Sequence, residues 1–437
     1  MKYKRYPKVK DSGVEWIGEI PEEWEKNKIK RLTKNTDKSF VDGDWIESPF
    51  ITDYGIRLIQ TGNIGIGRFI EKGDRYIAEE TFSDLNCTEV FPNDILICRL
   101  AGPVGRACLA PVLKNRMITS IDITILKNSE KHNPKFIVYL LSNSNYLKWI
   151  DTISRGSTRA RISRSMLGDF KFYFPPRKLE EDEIVDFLDK QTTQFDVLIL
   201  KSKAQITLLE EKRQAMINQA VTKGLDPSVK MKDSGVEWIG DIPEGWEVKK
   251  LKYSVDLYSK KSNGNANERP YVGLEHIESQ TGRLIPDFPI TFEGDSKEFD
   301  SGDVLFGKLR PYLAKAILAD FAGTCSGELL VLRGNEIKPD LLHRLVLSDG
   351  FIQLVNSATY GVKMPRAEWS MIGNIFIPIP KEEKEQIQII AFLKKQTTQF
   401  DELIAKSKTQ ITLLEEKKQA LITAAVTGKI DVRGTVE

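Results

Sequence analysis

Residues 184–225 read IVDFLDKQTTQFDVLILKSKAQITLLEEKRQAMINQAVTKGL, and residues 389–430 read IIAFLKKQTTQFDELIAKSKTQITLLEEKKQALITAAVTGKI; 29 of 42 positions are identical at an offset of 205. Neither stretch contains proline, and no glycine falls between Ile184 and Lys223. Apolar residues recur at helical spacing through Phe187, Leu188, Phe195, Leu198, Ile199, Ile206, Leu209 and Met216. This predicts one long helix over 179–223, stopped by Gly224 and Pro227, and a second over 383–428, closed by Gly428. The contact stripe is read as Phe195, Leu198, Ile206 and Leu209 in the first, with Phe400, Leu403, Ile411 and Leu414 in the second. A helix of some 40 residues spans about 60 Å. One that long, with a single apolar stripe, needs a partner. Its own twin is the nearest candidate, and two such helices can pair antiparallel about a pseudo-two-fold axis.

Working outward, a second repeat opens each half. Residues 11–25 (DSGVEWIGEIPEEWE) and 233–247 (DSGVEWIGDIPEGWE) match at 13 of 15 positions, at an offset of 222. The offset then falls to 205, so each half runs head, variable body, helical tail, and the second body is shorter. A period this long is a duplicated domain pair and not a solenoid. The bodies differ far more than the tails, with weak echoes such as Asp94-Ile95-Leu96 against Asp303-Val304-Leu305. Runs such as ILICRL and MITSIDITIL have β character and are punctuated by Gly, Pro and Asn. Shorter helices are expected at 134–150 and 338–356. The fold class that follows is α+β: two mixed, strand-rich domains joined by two long helices in an antiparallel coiled coil. The expected layout is a first body with its head over 1–178, a helix over 179–223, a second body with its head over 224–382, a helix over 383–428, and a tail over 429–437.

Lys and Arg number 64 and Asp and Glu 62 in the 437 residues, so an anionic partner must be held by a local patch. The excess is local. Body one (26–178) has 25 basic against 16 acidic residues; body two (248–381) has 17 against 16; the first tail (179–223) has 6 against 9. That suits a body meeting phosphates and a tail meeting protein. The densest cluster is 154–165, SRGSTRARISRS, with Arg155, Arg159, Arg161 and Arg164 interleaved with hydroxyls such as Ser157. Arginine takes a guanine edge bidentately and hydroxyls bind phosphates. The counterpart in body two is the less basic loop 360–366, with Tyr360, Lys363 and Arg366. Gln60 and Asn63, residue types that pair with adenine, mark a further candidate loop, which a plain turn would equally explain.

Catalytic motifs are scarce. There is no P-loop, HExxH or G-x-S-x-G, and Gly65-Ile66-Gly67 lacks the third glycine of a dinucleotide loop. Pro286-Asp287 with Asp295 and Lys297 fits only the loose pattern of Mg²⁺ nucleases. Cys87, Cys98, Cys108 and Cys325 form no C-x-x-C pair, and three histidines are scattered, so no metal site is expected. No apolar run reaches the length of a membrane span, and a cytoplasmic protein with reduced thiols is expected.

The head Asp-Ser-Gly-Val-Glu-Trp-Ile-Gly-x-Ile-Pro-x-x-Trp and the tail Gln-Thr-Thr-Gln-Phe-Asp…Leu-Leu-Glu-Glu-Lys, each present twice, closely resemble the specificity subunit of Type I restriction–modification enzymes. The resemblance covers nearly the whole chain. It implies two target recognition domains, each reading one half of a split double-stranded DNA site from the major groove. It implies helices that set the gap between the halves and dock two methyltransferase subunits, which in turn carry the restriction (motor) subunits. S-adenosylmethionine, ATP and Mg²⁺ then belong to those partners, and this chain holds no cofactor, metal or catalytic residue. Divergent bodies imply an asymmetric site. Two rival readings differ in class: a single-chain nuclease or methyltransferase would need a catalytic motif, and a scaffold that reads no DNA leaves the basic first body unexplained.

Overall fold

The computed structural model describes residues 3–34, 38–154, 160–262, 269–285, 296–361 and 364–434. The chain divides into two compact units, residues 1–202 with 410–437 and residues 203–409. The division falls inside both long helices, so each unit owns one body, part of the first helix and part of the second.

The long helices run Lys178–Lys223 and Glu383–Val426. Carboxylates fill their first turns, Glu180 and Glu181 in one and Glu383 and Glu385 in the other, where the exposed N–H groups favour negative charge. Gly224 and Gly428 follow the last turns at φ +73° and +66°, the left-handed conformation that closes a helix. Buried and half-buried positions step by three and four through Thr192, Phe195, Ile199, Ser202, Ile206, Leu209 and Arg213, and again 205 residues later from Thr397 to Lys418. A 3.5-residue repeat is the seam spacing of a left-handed coiled coil. The expected stripe is therefore corrected at one position in each helix. Leu198 and Leu403 are 45% and 46% exposed, and Ile199 and Ile404, one residue on and about 100° around the helix, occupy the seam instead.

Polar pairs record the antiparallel direction. Within the first unit Lys418 Nζ lies 2.6 Å from Asp196, and within the second Arg213 Nε lies 3.5 Å from Asp401. Asp196 and Asp401 are equivalent in the repeat, as are Arg213 and Lys418, so one bridge is made twice. Such partly exposed pairs are worth about 0–1 kcal/mol each and specify register more than stability.

The heads explain their own repetition. Each is a short hairpin, Val9–Asp11 with Glu19–Pro21 and Met231–Asp233 with Asp241–Pro243. After it comes a buried tryptophan. Trp24 Nε1 donates to Glu180 Oε1 at 3.0 Å, and Trp246 Nε1 donates to Glu385 Oε1 at 2.8 Å. Gly428 lies against Pro21 and Trp24, and Gly224 against Pro243 and Trp246. Each head thus ties the last turn of one long helix to the first turn of the other. The segment after Gly428 joins the same assembly: Asp431 bridges Lys4, and Val432 is buried in the core of the first unit.

The bodies repeat a four-stranded antiparallel sheet. Its order is 40–42, 123–126, 95–98, 107–109 in the first unit and 255–258, 329–334, 304–307, 316–318 in the second. The central strands ILIC, ITIL and VLFG are buried along their whole length, which is why they read as continuous apolar runs. A three-stranded sheet with one parallel pair accompanies each. The helices expected at 134–150 and 338–356 each break in two: Pro134–Leu140 and Ser144–Ile153, then Pro339–Val346 and Asp349–Ser357. In the first pair Asn143 caps the new helix, its side chain accepting from Tyr146 N–H at 2.9 Å. All four cysteines are buried and free, and burial pushes the Cys108 and Cys325 thiols up to about 12. Among the described residues no helix is long and apolar enough to cross a membrane, and no cluster has metal-ligand geometry.

Trp24→Phe keeps the ring but removes the indole donor, leaving the buried Glu180 carboxylate with the Tyr6 hydroxyl alone. Loss of about 1–3 kcal/mol is expected, read by circular dichroism during urea unfolding. Unchanged stability would show that this bond does not anchor the helix.

Candidate nucleic-acid interface

In the first unit the helix Ser144–Ile153 ends before the basic segment, and the chain meets the sheet at Arg161. There Arg161 forms a β-bridge with Leu100, Ala101 N–H donates to Ala160 O at 2.9 Å, and Ile162 N–H donates to Arg99 O at 3.1 Å. The Arg161 guanidinium sits 2.8 Å from Asp122, just before the strand Ile123–Leu126. The second unit repeats every part. Arg366 bridges Leu309, Arg310 N–H donates to Pro365 O at 2.7 Å, and Ala367 N–H donates to Lys308 O at 2.9 Å. The Arg366 guanidinium sits 2.6 Å from Glu328, just before the strand Leu329–Gly334. Arg161 and Arg366 are 205 residues apart, the offset of the helical tails. One docking device therefore holds a loop of different sequence in each unit.

Of the residues picked from sequence, Arg155, Ser157, Arg159 and Lys363 lie outside the described residues. The Arg161, Arg164 and Arg366 side chains are 51%, 42% and 40% exposed, enough to reach a ligand while each keeps an acidic neighbour. A guanidinium has five donors, so a carboxylate on one edge orients the rest. Arg164 opens a short helix capped by Ser163, whose hydroxyl accepts from Met166 N–H at 3.1 Å. Tyr360 is exposed, and its hydroxyl donates to Glu368 at 2.8 Å. Arg99 supports the first loop from beneath. It is buried, donates to Ile162 O at 3.2 Å and Ile121 O at 2.6 Å, and faces Asp42 at 3.2 Å. Burial lowers its pKa.

Asn63 is a correction. Its Oδ1 accepts from Gln60 N–H at 2.8 Å, and its Nδ2 donates to Ile70 O at 3.0 Å and Lys72 O at 2.7 Å. At 3% exposure, with those bonds made, the amide holds a turn and has nothing to offer a base. Gln60, half-buried, supplies the turn's backbone N–H. In the second unit His276 does the same work, its Nδ1 accepting from Gly273 N–H at 3.0 Å. Each turn is pinned from behind by a cation: Arg106 donates to Thr61 O at 2.8 Å and Ile64 O at 2.7 Å, and Lys315 to Leu274 O at 2.7 Å. Lys297, from the loose nuclease pattern, donates to Gly327 O at 3.3 Å and Leu329 O at 3.1 Å; Asp287 and Asp295 lie outside the described residues.

The residue that sequence reading passed over is Arg310. It is exposed, at φ +51° and ψ 62°, and Ala314 four residues on is at φ +46°. Left-handed backbone costs a side-chain-bearing residue about 1–2 kcal/mol. Tyr312, between them, is 48% exposed. No local signal pointed to it: a residue before proline is expected to be extended, and Arg310, two residues beyond Lys308, is left-handed instead.

Residues 21–208 match the model of the Type I restriction modification DNA specificity domain. A putative Type I restriction enzyme MjaX specificity subunit of Methanocaldococcus jannaschii is 22% identical, over 95% of this chain and 96% of its own length. The EcoDI specificity subunit of Escherichia coli is 22% identical, over 69% of this chain and 71% of its own. Among solved structures, a chain from work on complex assembly and conformational transition of the Type I system superposes with TM-score 0.68 at 15% identity, covering 93% of this chain and 98% of that one. The HsdS subunit of Thermoanaerobacter tengcongensis gives TM-score 0.50 at 16% identity, over 94% and 98%. These likenesses establish the shared fold.

Asn63→Ala should lower stability by about 1–3 kcal/mol and leave DNA selectivity unaltered in the folded fraction. Thermal melting with site-selection binding checks both. A normal melt with altered selectivity would restore Asn63 as a reader.

Proposed function

We propose that this chain is a specificity subunit of a Type I restriction–modification system, the family whose specificity-domain model residues 21–208 match, and that each of its units reads one half of a bipartite, asymmetric site in double-stranded DNA. The observation that carries this is the twice-built docking device. Arg161 with Asp122 and Arg366 with Glu328 hold loops of unlike sequence at equivalent places on equivalent sheets. A scaffold that keeps one fold while its bodies vary in sequence suits two different half-sites. Arginine paired with a guanine edge supplies about 1–3 kcal/mol of discrimination, and the 25 basic residues of body one against 16 acidic favour phosphate contact.

The helices act as the ruler between half-sites and as the dock for two methyltransferase subunits, through which the restriction subunits join. S-adenosylmethionine, ATP and Mg²⁺ act in those partners, and the complex works on DNA in the cytoplasm. Repetition on exposed surface supports the dock. Positions 194, 198, 201, 205, 208, 212 and 215 are exposed and identical to their counterparts 205 residues later, whereas the exposed substitutions at 197, 200 and 204 lie off this stripe. Packing forces identity in a core; nothing inside this chain forces it on solvent-facing side chains. The first unit shows Leu198 and Leu413, 45% and 49% exposed, and the second Leu208 and Leu403, 50% and 46% exposed. Matched apolar positions in each unit suit two copies of one partner.

Three outcomes test this reading. In the assembled methyltransferase, Arg161→Ala should relax one half of the methylated motif by about 1–3 kcal/mol and spare the other; equal damage to both halves would count against separate readers. Inserting one heptad after Ala204 and another after Thr409 keeps the seam in register and adds about 10 Å. The gap in the motif should grow by about three base pairs at 3.4 Å each, and an unchanged gap would sink the ruler. Leu198→Asp with Leu413→Asp should reduce the bound methyltransferase from two copies to one by native mass spectrometry. Retention of both copies would place the dock elsewhere.

A further inference from the structure

We propose that Arg310 is a base-reading side chain of the second unit, presenting its guanidinium fork to a guanine edge in the half-site that unit recognises. The inference rests on the DNA-reading function proposed above and names a residue which that function left unassigned. Arg310 stands where the first unit has Ala101, on the turn after the equivalent central strand, so it is peculiar to the second reader.

Two features separate it from its neighbours. Arg366 gives one edge to Glu328, Arg333 pairs with Asp300 and Asp303, and Arg283 with Asp401, whereas Arg310 makes no ion pair among the described residues. It is also the arginine held on left-handed backbone there. That conformation is locked from both sides: Arg310 N–H donates to Pro365 O at 2.7 Å, and Leu313 N–H donates back to Arg310 O at 2.9 Å, with Pro311 between. The turn is thereby stitched to the loop carrying Tyr360 and Arg366. Strained backbone persists where the surroundings over-determine it, and it sets the direction in which the side chain leaves the chain. A phosphate makes no such demand, since a flexible lysine on relaxed backbone can reach one. A fixed direction matters when two parallel donors must meet the O6 and N7 of one guanine. The second body carries almost no net charge, 17 basic against 16 acidic residues, so its reader depends on placement more than on general attraction.

The test uses the full chain co-expressed with its methyltransferase subunits, with methylated motifs read by single-molecule sequencing. Arg310→Gly suits the left-handed backbone and so keeps the fold while deleting the fork. Arg310→Lys keeps the charge but not the paired donors. Both variants should lose selection of one guanine in one half-site, with about tenfold or more lower preference for it, and keep the other half-site intact. A wild-type motif unchanged in Arg310→Gly would overturn this inference alone. Full rescue by Arg310→Lys would overturn the fork geometry, and weaker methylation with every base still selected in Arg310→Gly would make the contact a phosphate and overturn base reading. Absence of any split motif with the wild-type complex would overturn the DNA-reading function, and this inference with it.

Discussion

A buried indole N–H meeting a carboxylate in the first turn of a long helix is the bond on which the rest of this architecture hangs. It occurs twice, Trp24 with Glu180 and Trp246 with Glu385, with the closing glycine of the other long helix against the same ring. A carboxylate out of water needs donors, and the helix N-terminus and the indole both provide them. The next position strengthens the joint. Glu181 accepts from Asn133 N–H at 2.6 Å and lies 2.7 Å from His132 Nδ1, while its counterpart Gln386 accepts from Lys338 N–H at 2.8 Å. Charge differs between the two, yet the geometry of acceptor and backbone donor is kept. Remove these joints and each body would swing on its helix; with them, the helix and the body share one frame.

The frame is conservative and the loops are not, and physics accounts for the contrast. Side chains in the seam and at the joints are enclosed, so a change of one methylene is felt by every neighbour. The C-terminal ends of the loops meet the sheet through a β-bridge, flanking backbone hydrogen bonds and an ion pair each. Arg161 with Asp122 and Arg366 with Glu328 show how little must be retained for a loop of any sequence to land in the same place. A protein built this way can change what it recognises without rebuilding what it is.

Much of this was legible in the chain before any coordinates. The long helices could be read because uninterrupted helical periodicity over some 40 residues has few alternatives, and the two-part organisation because the chain repeats itself. The legibility failed where two readings differ by a single rotation or by burial. Leu198 and Ile199 are both good seam residues by composition; only packing against the second helix shows that Ile199 faces inward. Asn63 has the chemistry of an adenine reader, and its amide is consumed by Gln60, Ile70 and Lys72, residues whose proximity no local pattern reveals. Arg310 was not singled out as a reader because a left-handed arginine looks like any other in one-letter code.

By itself the sequence determined the helices, the duplication, the absence of recognisable catalytic motifs and the region of the basic loops, because periodicity, identity and composition are local properties of the chain. Tertiary structure alone decided which polar side chains are spent on the fold and which remain exposed among the described residues. That division depends on contacts between residues far apart in sequence, and a donor is available to a ligand only after the protein's own acceptors have taken what they need.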